Sequence, residues 1–349
     1  MKRLAFVTVL LIYSVLSAEA SWFSRKTDTL TIMSYNIENF FDFGIAIHLF
    51  DPADDPNKND DDFTPEGAYH WTEHLMQVKA GKIARVVSTI NGWNIPDIIG
   101  LSEIEGPDAV EQLLRRGKLR RYYKSVVFPT SDRRGIATAM LYRKGRVDLL
   151  CSKAINVSAP SRRFFTRDIL YAKLKVRKDT FHIFVNHWPS KRGKGNSSDA
   201  LRDSVAAKLR LVTDSIVSVS KDANIVLLGD FNDEETSYSL TDVLGAAKDT
   251  LSYREDITQP FVNLSTLTKD KSYKYQGTWK TIDHIIVTKT MMKRFTCSFR
   301  VFKPDFLLQE DTKYQLSKRP FRTYLGQKFN DGYSDHLPVI AKIVLNNNL

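Results

Sequence analysis

The stretch IVLLGDFNDE, Ile225 to Glu234, decides how the rest of the chain reads. Four apolar residues run straight into Gly229-Asp230-Phe231-Asn232-Asp233. This is the pattern of a buried strand whose end presents carboxylate and amide groups at a sheet edge. On this reading Gly229 lets a neighbouring backbone pass closely, and Phe231 packs back into the core between Asp230 and Asn232. Asp233 and Glu234 read as surface or helix-starting acids.

Outward from this stretch, short apolar runs with β-branched residues recur. They span Leu30 to Tyr35, Ile98 to Leu101, Ile136 to Tyr142, Ile169 to Val176, Phe181 to Val185, Ile285 to Val287 and Val339 to Val344, and they predict strands. Between them Met76, Ala80, Ile83, Val87 and Ile90 recur at steps of three or four, as do Leu201, Val205, Leu209, Val212 and Ile216. Each set predicts one apolar helix face. Helices and strands are mixed throughout, and no Pro/Gly/Ser-rich linker or internal repeat divides the chain. A single layered α/β domain over residues 21–349 follows.

Residues 1–20 stand apart. Lys2 and Arg3 precede an uncharged, mostly apolar run from Leu4 to Ser17, and Ala18-Glu19-Ala20 forms a small-x-small pattern before Ser21. That predicts a cleaved signal peptide and a secreted or periplasmic protein. The run is shorter than the ~20 residues of a membrane span. Without Lys2, Arg3 and Glu19 the net charge of +11 becomes 49 − 39, or +10. A basic exported protein suits polyanions, although charge also serves solubility. With only Cys151 and Cys297, the 349-residue chain is no disulfide scaffold, and the two read as separate buried thiols. The composition excludes a disordered or fibrous protein. The segment Phe50–Phe63 carries six Asp residues and reads as a solvated acidic insert. It has oxygen ligands enough for Ca²⁺ but lacks the spacing of an EF-hand loop.

Other polar groups also lie where apolar runs begin or end: Asn36, Glu103, Asn186-His187, Asp283-His284 and Ser334-Asp335-His336. A lone His or Asp at a strand end serves as a hydrogen-bonded structural residue or a helix cap. Capping does not account for so many. Converging, they would offer hard oxygen ligands and two imidazoles, a set that favours Mg²⁺ or Mn²⁺ beside a substrate phosphate.

In order along the chain, MSYNIENFF, LSEIE, RRGIATAMLY, NHWPSKRG, LGDFND, TIDHIIV and YSDHLPV resemble the motifs of the endonuclease/exonuclease/phosphatase superfamily, which includes pancreatic-type deoxyribonucleases. The resemblance spans Leu30 to Val344. It implies two packed mixed β-sheets flanked by helices, with the site at one edge of the sandwich. It implies Glu103 as the principal metal ligand with Asn36 and Asp335 close by, and Asp230 and Asn232 as the groups that hold water and orient phosphate. His336, paired with Asp283, faces the phosphate in this scheme, and His187 lies opposite. Arg134, Asn186, Lys191 and Arg192 are the expected phosphate contacts, and Arg202 on the following helix adds to the basic surface.

Many relatives read RGIDVA where this chain has Arg134-Gly135-Ile136-Ala137-Thr138-Ala139, so the residue that orients His187 stays open. The functional expectation is a secreted, monomeric, metal-dependent phosphodiesterase acting on DNA or RNA. An inositol-phosphate or sphingomyelin-like lipid hydrolase shares the same chemistry, and an inactive binding protein is the alternative from another class.

Overall fold

The thirteen strands of two mixed sheets are, in chain order, β1 (Asp28–Phe40), β2 (Ile98–Ile104), β3 (Tyr123–Val127), β4 (Ala137–Arg143), β5 (Asp148–Ile155), β6 (Ile169–Val176), β7 (Asp179–His187), β8 (Asn224–Asp230), β9 (Ala246–Ala247), β10 (Phe261–Asn263), β11 (Asp283–Thr288), β12 (Thr296–Val301) and β13 (Val339–Leu345). One sheet runs β12-β13-β1-β2-β4-β3 and the other β5-β6-β7-β8-β11-β10-β9. The structure is a computed structural model that describes residues 28–42, 61–90, 94–130, 132, 134–158, 166–191, 197–247, 260–314 and 317–345. The expected signal peptide and most of the Asp-rich insert lie outside the described residues.

Every predicted strand falls in one of the two sheets. In β8 the side chains alternate: Ile225 and Leu227 pack under a helix, whereas Val226 and Leu228 pack against the other sheet. A strand covered on both faces needs the continuous apolar run seen in the sequence, and each such side chain contributes about 1.5–3 kcal/mol by burial. Gly100 of β2 marks how closely the sheets approach, since a Cβ there would lie 2.7 Å from Leu228 Cδ1.

The helices α1 (Glu73–Thr89) and α2 (Pro107–Arg116) flank the first sheet, and α3 (Ser197–Val219) flanks the second. Thr72 caps α1 by accepting from Leu75 N. Met76, Ala80, Ile83, Val87 and Ile90 are all buried as the spacing predicts. Two charged residues join the apolar faces, Lys79 on α1 and Arg202 on α3, and both are fully buried. Among the described residues no helix is long and apolar enough to cross a membrane. Cys151 and Cys297 are free thiols, and Cys151 is exposed on β5 rather than buried as expected, because β5 is an edge strand with one outer face uncovered.

Candidate active site

Strand register builds the site. The parallel pairing of β7 with β8 sets His187 beside Asp230, and the antiparallel pairing of β8 with β11 sets Asp283 on the other side of Asp230. From the other sheet, β1 and β2 bring up Asn36 and Glu103 where their parallel register shifts, just past the Asn36–Ser102 pair. The Asn36 amide spans the seam, its Nδ2 lying 3.2 Å from Glu103 Oε1 and 3.1 Å from Asp230 Oδ2. Its Oδ1 accepts the Glu38 N–H, so the amide holds two carboxylates in place as a donor.

Backbone strain concentrates here. Glu38, Asn39, Glu103 and Asn232 all have positive φ, between 52° and 63°, a conformation that costs a side-chain-bearing residue about 1–3 kcal/mol. Glu103 is fixed by the Asn39 N–H at 3.0 Å, and the Asn232 N–H closes on Asp230 Oδ1 at 2.9 Å. Gly229 answers for a close approach, because a Cβ on it would lie 1.9 Å from the Asn186 carbonyl oxygen. Phe231 is fully buried against Trp188 and His284.

The last strand brings His336. Its Nδ1 lies 2.8 Å from Asp283 Oδ2, which also accepts from Ser272 Oγ at 2.6 Å. Ser334 braces the turn by donating to Asn36 O and accepting the His336 N–H. The Tyr273 ring packs on the imidazole with centroids 4.6 Å apart. Burial alone would lower the His336 pKa, but Asp283 and Asp230 more than offset it and hold it well above the ordinary value. Burial pushes Asp230 up to about 7, with Asp283 adding like charge against the opposing pull of His336. Both imidazoles address the same carboxylate oxygen: His187 Nε2 is 3.7 Å and His336 Nε2 is 3.8 Å from Asp230 Oδ2.

A second network has no mark in the sequence. Glu38 is buried and accepts from Arg322 Nε at 3.1 Å and from Thr323 N at 2.6 Å. Lys79 reaches up from α1 to Glu38 O and Thr323 Oγ1. Arg322 also reaches Asp335 Oδ2 at 3.2 Å. Burial lifts Glu38 to about 7, with Asp335 adding to it, and lowers Lys79 to about 8. Glu38 sits two residues past Asn36, which is a signal of position only. Nothing in the sequence pairs it with Arg322, 284 residues away.

Several expected phosphate contacts have protein partners of their own. Asn186 is fully buried, with its Nδ2 donating to Phe184 O and Leu228 O and its Oδ1 accepting from Trp188 Nε1, so nothing remains for phosphate. Arg202 is 0% exposed and pairs with Asp233 at 2.9 Å. Asp233 is correspondingly no surface acid: it is buried, accepts from Ser239 Oγ and pairs with Lys191 Nζ at 3.0 Å. Arg134 Nε lies 3.4 Å from Asp132 Oδ1, and the other Asp132 oxygen takes Arg167 at 2.9 Å. Arg167 in turn donates to Trp188 O. His284 is a structural histidine, with Nε2 on Asp233 O and Nδ1 beside Ser265. Arg192 lies outside the described residues.

The residues fit a divalent cation. Glu103 and Asp335 are the more open carboxylates, Asp230 and Asp283 lie beneath them, and Asp283 Oδ1 is buried with no hydrogen-bond partner. Among the described residues Asp230, Asp283 and His336 also bring ligand atoms within 4.8 Å of one another, beside the expected ligands Glu103, Asn36 and Asp335. In that group the short Asp283–His336 contact is already filled by a proton. Hard oxygen donors remain around Glu103, the setting for Mg²⁺-like ions.

The fold and this row of acid and imidazole define a phosphoric ester hydrolase. The model of the Endonuclease/Exonuclease/phosphatase family matches residues 31–345, and the chain belongs to that family. Its members are phosphoric ester hydrolases that depend on a divalent metal. Among solved structures the chain is similar to humanized TDP2 of D. rerio (TM-score 0.53, 17% identity, 90% of this chain and 98% of that one). It is also similar to a family protein of Bacteroides thetaiotaomicron (0.53, 15%, 92% and 99%) and to a mannosyl-6-phosphatase of the same organism (0.52, 17%, 90% and 99%). A search of the curated proteins finds no match.

Proposed function

We propose that the chain is an exported nuclease that hydrolyses phosphodiester bonds of DNA or RNA with Mg²⁺ or Mn²⁺. The observation that carries this reading is the placing of His187 and His336 within 3.8 Å of one buried Asp230 oxygen, with His336 kept protonated by Asp283. In-line hydrolysis needs a positioned water, stabilised charge on the phosphoryl oxygens and a proton for the departing alkoxide. Asp230 and Asn232 hold the water, and Asp230, with its affinity for protons raised to about 7, accepts its proton. The protonated His336 donates a hydrogen bond to the phosphate. Glu103, with Asp335 beside it, would hold the cation, which when bound supplies charge neutralisation for the developing phosphorane.

The net charge of +10 after loss of residues 1–20 supports a polyanionic substrate, and the signal-peptide pattern of those residues supports export. The test is a panel of plasmid, single-stranded DNA, RNA and a phosphomonoester with Mg²⁺, Mn²⁺, Ca²⁺ or EDTA, on wild type and His336→Ala. Metal-dependent cutting of nucleic acid, reduced about 10²–10⁴-fold in the variant, is the expected result. Intact nucleic acid beside released inorganic phosphate would replace the nuclease reading with a phosphatase.

A further inference from the structure

At the end of the sandwich opposite the catalytic row, the chain from the end of α2 to the start of β3 reads Arg115-Arg116-Gly117-Lys118-Leu119-Arg120-Arg121-Tyr122-Tyr123-Lys124. Its six cations are all exposed, and no acid occurs between Glu111 and Asp132. The register fixes the location. Tyr123 pairs with Arg143 at the end of β4 that lies beside Ile98, the start of β2, whereas Glu103 stands near the other end of β2. Five residues of strand separate the two levels by about 17 Å.

The segment lines an open cleft of about 630 Å³, with Arg115, Lys118, Arg120, Arg121, Tyr122 and Ser88 among its walls. Gly117 lets the helix end there, because a Cβ on it would press within 2.8 Å of Leu113 O. Lys118 follows in the left-handed region, with φ 56°, and Leu119 is buried as the anchor that turns the flanking cations outward. Two of the cations are neutralised, Arg116 by Glu73 and Arg120 by Glu111 at 3.4 Å. Among the described residues Arg115, Lys118 and Arg121 have no carboxylate partner. The Arg121 guanidinium lies over the half-exposed Tyr122 ring at 5.5 Å.

We propose that this cleft is a second binding site for the phosphate backbone of nucleic acid, an anchor that holds a long substrate while the catalytic row cuts it elsewhere. The proposal rests on the nuclease reading above. Four arginines out of six cations suit phosphate oxygens, and an exposed aromatic carrying an arginine suits an unpaired base. A membrane-binding surface would instead pair its cations with protruding apolar residues, and Tyr122 is the one large hydrophobic side chain of this segment that is exposed. Only a polymer reaches both sites, so the anchor acts on long substrates and leaves short ones unaffected.

The test compares wild type with the triple variant R115Q/K118Q/R121Q, which leaves both ion-paired arginines in place. Binding of a labelled 30-mer, single-stranded and duplex, is measured in EDTA over a range of KCl, alongside turnover of bis(p-nitrophenyl) phosphate. We expect Kd for the 30-mer to rise about tenfold or more. The slope of log K against log salt should shrink by up to about 2.7 for the duplex, at about 0.9 for each phosphate that the variant no longer neutralises, and by up to about 2.1 for the single strand, at about 0.7 each. Turnover of the small diester stays as in wild type, which also reports that the variant is folded. An unchanged slope and Kd overturns the anchor and leaves the nuclease reading standing. Wild type that turns over the small diester but binds no 30-mer at low salt removes both. Loss in the variant of binding to phosphatidylserine/phosphatidylcholine vesicles, with 30-mer binding intact, would reassign the cleft to a lipid surface and overturn the proposal.

Discussion

Asp230 illustrates how a single residue acquires its chemistry from its neighbours. Burial raises its pKa, His336 restrains that rise, and the Asn36 amide keeps one oxygen directed at the seam. His336 depends on Asp283 in the same way. We therefore expect Asp283→Asn to lower kcat by at least 10²-fold and to move the alkaline limb of the kcat–pH profile to lower pH. The sign follows from the pair: the carboxylate holds the imidazole pKa up, activity needs the protonated ring, and without the carboxylate the ring loses its proton earlier. An alkaline limb that stays in place would sink the role given to His336. The catalytic row is legible in the sequence because each member ends or begins an apolar run. Glu38, Lys79 and Arg322 are not, since Lys79 interrupts an apolar helix face and Arg322 lies in a loop with no periodicity.

At the scale of elements, strands are readable wherever both faces are covered, as in β8, or one face is buried, as in β6. The edge strands β3, β5 and β12 escape a reading by pattern because their side chains are largely exposed and carry no alternation strong enough to mark them. The docking of α3 is hidden for a related reason. In the sequence Arg202 looks like one more cation beside a basic loop, yet it enters the interface between α3 and the chain after β8 to meet Asp233. Burial would raise the Asp233 pKa, but Ser239, Arg202 and Lys191 together hold it below the usual carboxylate range. Removing one partner of a buried pair leaves an uncompensated charge, so Arg202→Ala is expected to cost about 3 kcal/mol in urea unfolding. Its effect on KM for a small diester should be negligible. A large rise in KM with little loss of stability would return Arg202 to the phosphate site.

For the whole molecule, the active site is a cost to folding that a bound cation would offset. Asp230 and Glu38 are both buried and both raised to about 7, so each holds a proton in the folded chain at a pH where the unfolded chain, with carboxyls near ~4, has released it. For an acid shifted in this direction, the folded state is favoured fully below the unfolded pKa, and that advantage is lost as pH rises through the folded value. Metal-stripped protein should thus melt at a progressively lower temperature between about pH 5 and pH 8, beyond any change shown by Asp230→Asn. A divalent cation binds the folded site and competes with those protons, so its stabilisation, RT ln(1 + [L]/Kd), should grow over the same interval. The measurement is the melting temperature at pH 5 and pH 8 with saturating Mg²⁺ or with EDTA. A larger Mg²⁺-dependent rise at pH 8 is expected. An equal rise at both pH values would mean that the cation does not compete with the protons on Asp230 and Glu38 and is held by carboxylates already ionised at pH 5.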